Sequence, residues 1–192
     1  MENVITIVSG LPRSGTSLMM KMLEAGGMSV VMDGVREADV DNPKGYYEYE
    51  PAKTIKQDKS WLPGTRGKVF KMVSMLLVEL PPDFRYKVIF MRRNIDEVLA
   101  SQRKMLQRLN KRVADEDKMR ELYAKHLTQI DSWLAGQGNV ESMTVLFNNL
   151  FQNPQTEIEQ ITEFLGGRLD AGKMREVIDV TLYRNRAESQ NS

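Results

Sequence analysis

The stretch Gly10–Ser17 carries residue types that suit anion binding, and it reads Gly-Leu-Pro-Arg-Ser-Gly-Thr-Ser. Its two glycines, five positions apart, allow the backbone to wrap an anion with successive N–H groups turned inward. One arginine and three hydroxyl side chains add a cation and hydrogen-bond donors that a phosphate or sulfate accepts. The stretch follows an apolar run and precedes a helical pattern, so it predicts an anion site at a helix N-terminus.

The spacing of the glycines resembles the Walker A loop, G-x-x-x-x-G-K-[ST], with one difference. Thr16 stands where the lysine that contacts the β- and γ-phosphates should be, and the cation lies inside the loop at Arg13. A magnesium-dependent kinase or NTPase also needs an aspartate after an apolar strand, and Asp33 is the candidate. A P-loop kinase or NTPase that binds ATP and magnesium is therefore an alternative that we favour less.

The same loop resembles the 5′-phosphosulfate-binding loop of the sulfotransferase family, written P-[RK]-S-G-T-[ST] in many members. The matching residues are Pro12, Arg13, Ser14, Gly15, Thr16 and Ser17. Members of that family have a P-loop-like α/β fold and use 3′-phosphoadenosine 5′-phosphosulfate (PAPS) as donor, releasing 3′,5′-ADP. The resemblance implies that this loop holds the 5′-phosphosulfate of PAPS.

A second part of the resemblance lies after the apolar run that ends at Met91. The family binds the 3′-phosphate with an arginine at a strand end and a serine eight residues later. Arg93 and Ser101 keep that spacing, while Ile95 replaces the usual proline. A guanidinium and a hydroxyl group suit a phosphate monoester. The sequence leaves open whether Arg92 or Arg93 faces the phosphate.

The resemblance also suggests residues for the transfer step, in which Arg13 would take part beside a lysine. Lys71, near the end of an apolar strand, is similar to the family lysine that contacts the sulfuryl group. The family's general base is a histidine in some branches and a glutamate in others. His126 lies far from the family's histidine position and is not assigned. Glu37 is the first choice of base and Glu48 the second, although each is equally typical of a solvated acidic loop.

Further candidates come from the remaining matches. A late basic segment completes the nucleotide site in the family, which makes Arg184 a candidate ligand. Asn148 and Asn149 replace the acids of the family's Y-E-D-L stretch. Four aromatic residues either line an acceptor pocket or belong to the core: Tyr46, Tyr47, Tyr49 and Trp61.

Short apolar runs alternate with helical patterns along the whole chain. The predicted strands are Val4–Ser9, Ser29–Met32, Val69–Met72, Tyr86–Met91 and Met143–Phe147. Helices are predicted after the loop up to Gly26 and over residues 74–80, 95–109, 115–134 and 154–165. This alternation predicts a P-loop NTPase-like, three-layer α/β/α fold with a mostly parallel central sheet, formed by one domain over residues 1–192. Ligands of such sheets bind beyond the carboxyl ends of the strands.

Composition limits the chemistry. The 192 residues are 41% hydrophobic and 28% charged, which is typical of one soluble domain. The absence of cysteine excludes disulfides, thiolate metal sites and thiol nucleophiles, and a single histidine excludes multi-histidine metal sites. No run approaches the ~20 apolar residues of a membrane helix, and no signal peptide is evident. These observations predict a cytoplasmic protein with no metal and no membrane partner.

The expected activity is a metal-independent, in-line transfer of a sulfuryl group from PAPS to a hydroxyl or amine. The acceptor, whether small molecule, saccharide or peptide, is not identified by the sequence, and neither is the oligomeric state. A catalytically degenerate nucleotide-binding protein is a further alternative. Residues 85–125 contain twelve Lys and Arg against six acids, so a nucleic-acid-binding module is a last alternative, which we disfavour because the net charge is only +1.

Overall fold

Four strands form one parallel sheet in the computed structural model, which describes residues 3–33 and 47–179. The strands are β1 (Val4–Gly10), β2 (Val69–Val73), β3 (Arg85–Arg92) and β4 (Val140–Leu146). They are ordered β2-β1-β3-β4, and every neighbouring pair is parallel. The register aligns Gly10 with Val73 and with Met91, so the strands end at a common edge.

Helices cover both faces of this sheet. They are α1 (Thr16–Ala25), α2 (Glu50–Lys53), α3 (Ile95–Arg108), α4 (Glu116–Gly136), α5 (Asn149–Gln152), α6 (Pro154–Phe164) and α7 (Ala171–Glu176). Val8 packs with α1, α6 and α7 on one face, whereas Ile5 and Ile7 pack with α4 on the other. Because β1 is buried on both faces, its sequence is largely apolar, with Thr6 and Ser9 as its buried polar side chains. The predicted α/β/α layers and parallel sheet are confirmed.

Side-chain caps fix where the long helices begin. The Asn94 side chain accepts a hydrogen bond from the Asp96 amide at the start of α3. The Asp115 side chain does the same for the amides of Asp117 and Lys118 at the start of α4. Such caps satisfy N–H groups that have no partner within the helix. Both starts agree with the sequence prediction.

Three predicted elements differ from the structure. Ser29–Met32 makes a single bridge, Val30 to Val69, and is followed by Asp33, whose amide donates to the Glu48 carbonyl instead of extending a strand. The short helix predicted over residues 74–80 is a 3₁₀ helix that ends at Glu79. The fourth strand begins at Val140 instead of Met143, and its early residues are partly exposed because it is an edge strand, which weakens the apolar signal.

Helices α3 and α4 form an antiparallel pair beside the β1–α1 loop. Val98, Leu99 and Tyr123 make a small apolar cluster with Leu11, which belongs to that loop. The pair is also joined by an ion pair between Arg120 and Asp96. This packing places α3 against the loop. In the described ranges, no helix has the length and apolar character that crossing a membrane requires.

Candidate functional site

Both glycines of the loop between β1 and α1 are needed where they stand. A Cβ on Gly10 would lie 2.6 Å from the Met91 carbonyl oxygen of β3, so the backbones approach too closely for a side chain. Gly15 has a φ of +96°, and a Cβ there would lie 2.3 Å from the ring of Phe147. Only glycine combines this backbone conformation with this contact. The loop therefore fits tightly between the ends of β3 and β4.

Arg13 holds a left-handed conformation, with a φ of 73°. For a residue other than glycine this costs ~1–2 kcal/mol. The Arg13 Nε group donates a hydrogen bond to Ser101 Oγ at 3.0 Å, and the Arg13 carbonyl accepts one from Arg93 Nη1 at 3.3 Å. Contacts from outside the loop therefore hold the strained residue, as is common at functional sites.

The two consecutive arginines after β3 face different parts of the molecule. Arg93 Nε lies 2.8 Å from Glu97 Oε2 and its Nη1 contacts the loop. Arg92 instead pairs with Asp131 of α4. Side chains of successive residues in extended backbone point in opposite directions, which accounts for the division. Arg93, and not Arg92, faces the β1–α1 loop.

Arg93 is also packed against an aromatic ring. Its guanidinium carbon lies 4.4 Å from the ring centroid of Phe147, a cation–π geometry. The Phe147 ring is the one that Gly15 contacts, and the Phe147 amide donates a hydrogen bond to the Arg92 carbonyl at 2.7 Å. Phe147 thus lies between the loop and Arg93 and contacts both.

A third cation approaches the loop from the other side. Lys71 of β2 donates from Nζ to Ser17 Oγ, 3.4 Å away at the start of α1. Lys71 and Arg93 therefore contact the region of the loop from two sides, and the loop contributes a third cation of its own, Arg13. Such a concentration of cations beside the N-terminus of α1 favours an anionic ligand. Within residues 3–33 and 47–179, no group of three or more His, Cys, Asp or Glu side chains is placed to hold a metal.

Two buried polar atoms near the loop have no hydrogen-bond partner among the described residues. They are Ser14 Oγ and Asn148 Oδ1. Ser14 is 1% exposed, and its hydroxyl lies beside Gly10, where an added Cβ would be 2.5 Å from it. Buried polar groups are normally satisfied, so these atoms fit a site that a polar ligand completes.

Of the two candidate bases, Glu48 lies within the described residues and Glu37 does not. Glu48 is described: its backbone carbonyl bonds the Asp33 amide beside β2, and its carboxylate pairs with Lys53. Burial lowers the pKa of Lys53, but hydrogen bonds to Glu48 and Glu50 outweigh it and raise the pKa overall. Glu37, like Tyr46 and Arg184, lies outside the described residues.

The remaining aromatic candidates pack into the protein. Tyr49 contacts Trp61 edge-on, and Trp61 contacts the fully buried Phe70 in the same way, with centroids 5.3 and 5.1 Å apart. The Tyr47 hydroxyl donates to Glu24 of α1, and burial raises the pKa of Tyr47. Of the two expectations for these residues, the core role agrees with the packing of Tyr49 and Trp61.

His126 lies on α4 and pairs with the 3₁₀ helix that follows β2. Its Nε2 atom is 2.8 Å from Ser74 Oγ, and Ser74 is fully buried. Burial lowers the pKa of His126. The contact with Ser74 indicates that His126 has a structural role in packing and hydrogen bonding.

Two residues of the site were not selected from the sequence. Glu97 pairs with Arg93, and their four-residue spacing at the start of a helix is a signal that was available. Phe147 contacts Arg93 and Gly15, which come from distant parts of the chain. No local pattern identifies such a contact, because it depends on the pairing of β3 with β4.

A family model matches most of the chain, and solved structures share its fold. The family model described as a sulfotransferase domain matches residues 5–190. No curated protein sequence matches the chain. The mouse sulfotransferase SULT7A1 complexed with PAP superposes with a TM-score of 0.60 at 17% identity, covering 100% of this chain and 69% of that one.

Two other solved structures share the fold. The sulfotransferase domain from the curacin biosynthetic pathway has a TM-score of 0.56 at 15% identity, covering 91% of this chain and 77% of its own. A sulfotransferase from Alicyclobacillus acidocaldarius has a TM-score of 0.51 at 15% identity, covering 96% and 93%.

Proposed function

The chain belongs to the sulfotransferase domain family, and we propose that it transfers a sulfuryl group from PAPS to a hydroxyl or amine. The observation that carries the PAPS assignment is the direct contact between the two predicted anchors. Arg13 Nε bonds Ser101 Oγ, and Arg93 Nη1 bonds the Arg13 carbonyl. Two cations this close suit one nucleotide with anionic groups at both its 5′ and 3′ positions.

The loop residues bind one end of the donor, and residues at the junction of β3 and α3 bind the other. Arg13 and the backbone N–H groups of residues 15–17 hold the 5′-phosphosulfate, whereas the Ser14 N–H, expected in the same role, donates to the Leu11 carbonyl at 3.1 Å. Arg93 and Ser101 hold the 3′-phosphate, for which a guanidinium and a hydroxyl provide directed donors. Ser14 Oγ, buried and without a partner in the described residues, supplies one more donor. The mouse neighbour was solved in complex with PAP, which supports this choice of nucleotide.

Two cations act on the leaving group. When bound, PAPS supplies the sulfuryl group, and cleavage of its S–O bond to the 5′-phosphate leaves 3′,5′-ADP. Negative charge develops on that phosphate as the bond breaks, so fixed positive groups stabilise the transition state more than the ground state. Lys71, which contacts Ser17 at the start of α1, and Arg13 are placed to do this.

A carboxylate accepts the proton of the acceptor. A general base must reach the acceptor hydroxyl or amine as the new bond to sulfur forms. Glu37 and Glu48 remain the two candidates. Glu48 lies near the outer edge of β2, the strand that carries Lys71, and its side chain is 14% exposed. The result is a single displacement with no covalent enzyme intermediate.

The alternatives have less support. Thr16 stands in the position of the Walker A lysine, and the Asp33 carboxylate accepts a hydrogen bond from the Glu50 amide at the start of α2. In the basic tract 85–125, several cations pair with acids, as Arg103 does with Glu116. Such pairing reduces the positive field that a nucleic-acid surface needs.

The activity is tested by incubating the chain with PAPS and EDTA together with a phenol, an aliphatic alcohol, a hexose or an amine. We expect 3′,5′-ADP release that depends on one acceptor class and is lost in Arg13→Ala. The matched control is Arg66→Ala, because Arg66 packs over Phe84 at the far end of β3 and should be dispensable. Release that Arg13→Ala leaves unchanged, or turnover of ATP with magnesium instead, would overturn the proposal.

A further inference from the structure

We propose that Phe147 and Glu97 are positioning residues that set the selectivity of this chain for nucleotides with a 3′-phosphate. They act by fixing the guanidinium of Arg93, and the inference rests on the proposed function. Glu97 lies between Arg93 and Ser101, and Phe147 begins the stretch that resembles Y-E-D-L, but neither residue was predicted to act on the nucleotide site.

Arg93 is held from three directions. Glu97 Oε2 accepts from Nε at 2.8 Å, the Arg13 carbonyl accepts from Nη1 at 3.3 Å, and the Phe147 ring covers one face at 4.4 Å. The Arg93 and Glu97 side chains are only 8% and 2% exposed. An arginine side chain has many rotamers in solution, so these contacts remove freedom that phosphate binding would otherwise have to restrict.

Phe147 also connects Arg93 to the loop. Its ring fills the space beside Gly15, where even a single added carbon would lie 2.3 Å away. The same ring stacks on Arg93, and the Phe147 amide is bonded to the strand end of β3. One buried ring, 6% exposed, therefore contacts both the loop and the Arg93 guanidinium, beside the direct hydrogen bond from Arg93 to the Arg13 carbonyl.

The consequence for ligand choice is specific. A fixed guanidinium gives directed hydrogen bonds to a phosphate, whereas a mobile one gives mainly a diffuse attraction. A nucleotide that lacks the 3′-phosphate has no group for Arg93 to bind and depends on Arg93 only through the Arg13 carbonyl that Arg93 holds. Loosening Arg93 should then lower the affinity for 3′,5′-ADP more than the affinity for 5′-AMP.

The test is calorimetric titration of the full chain with 3′,5′-ADP and with 5′-AMP, each in EDTA. In Phe147→Leu we expect the ratio of the two affinities to fall at least about tenfold, since a desolvated cation–π contact has roughly that effect. Phe147→Tyr keeps the ring and should restore the ratio. Phe84→Leu is the control, because it removes the ring of the Arg66 pair at the other end of β3.

Glu97→Ala provides the second variant. If Glu97 orients Arg93, the selectivity ratio falls; if Glu97 merely competes with phosphate for Arg93, the ratio rises, which would overturn its role. If the wild type prefers 3′,5′-ADP to 5′-AMP and Phe147→Leu shows the same ratio of affinities, the inference about Phe147 is overturned but the proposed function is not. A wild type that binds both nucleotides equally would overturn the proposed function as well. If Glu97→Ala does not fold, the comparison of Phe147→Leu with Phe147→Tyr still tests whether the ring fixes Arg93.

Discussion

The two sides of the β1–α1 loop are built differently. On the side facing α3 and β4, Arg93 and Glu97 form an ion pair that is less than a tenth exposed and that touches the loop backbone. On the side facing the outer edge of β2, Glu48 pairs with Lys53, whose side chain is 49% exposed, and Lys53 also pairs with Glu50. Exposed pairs of this kind add little stability. The first side therefore carries a buried ion pair in contact with the loop, whereas on the second side the Glu48 carboxylate is 14% exposed and its partner Lys53 lies at the surface.

The largest effect should come from substitution of the two candidate bases, of which Glu48 belongs to the β2 side. We expect one of Glu37→Gln and Glu48→Gln to lower kcat by about 10²- to 10⁴-fold, which is the usual contribution of a general base. Both variants should keep wild-type affinity for 3′,5′-ADP, because neither acid is assigned to the donor. Steady-state kinetics and calorimetry measure the two quantities.

Glu50→Gln is the matched control for Glu48, since it also pairs with Lys53 but is 48% exposed. Full activity in both candidate variants would contradict a glutamate base and would leave the difference between the two sides unexplained.

Arg13→Ala tests the loop itself. We expect kcat/KM to fall by about 10²- to 10³-fold, the cost of losing a group that stabilises developing charge. Affinity for 5′-AMP should fall as well, because Arg13 is assigned to the 5′ group. The melting temperature without ligand controls for changes in folding, and an active Arg13→Ala would show that the loop cation is not used.

Substitution of Arg92 and Arg93 in turn tests which of the two arginines binds the 3′-phosphate. Arg93→Gln should lower the affinity for 3′,5′-ADP by about ten- to a hundredfold, as expected for hydrogen bonds to a charged group. Arg92→Gln should leave it unchanged, since Arg92 pairs with Asp131 of α4. Titration of both variants measures this, and equal losses would mean that the two arginines act only through overall charge.

The smallest effect concerns His126, which pairs with Ser74 after β2. Burial lowers the pKa of His126 below the ordinary value of about 6.5. As the pH falls, His126 is therefore protonated in the unfolded chain before it is protonated in the folded chain. The free energy of unfolding is unaffected by His126 above about pH 6.5 and decreases as the pH falls from there through the folded pKa. The melting temperature of the wild type should drop between about pH 7.5 and 5.5 more than that of His126→Gln. Parallel decreases in the two proteins would contradict this.

The sequence predicted the parallel sheet and the loop because each depends on local patterns. Val4–Val8 is an apolar run interrupted only by Thr6, and the loop motif follows it closely. The direction of Arg92 and Arg93 was not predictable, because it depends on how β3 meets β4 and α4. Phe147 was missed for the same reason. Edge strand β4 was shortened in the prediction, since exposed residues such as Glu141 give no strand signal.

The central claim is that one nucleotide with a 5′ and a 3′ anionic group occupies the site between Arg13 and Arg93. Thermal unfolding with 3′,5′-ADP in EDTA, compared with ATP and magnesium, tests it most directly. At 100 times its Kd a ligand adds ~2.7 kcal/mol of stability, so a clear rise in melting temperature is predicted with 3′,5′-ADP and no metal. Stabilisation by ATP and magnesium alone would contradict the account.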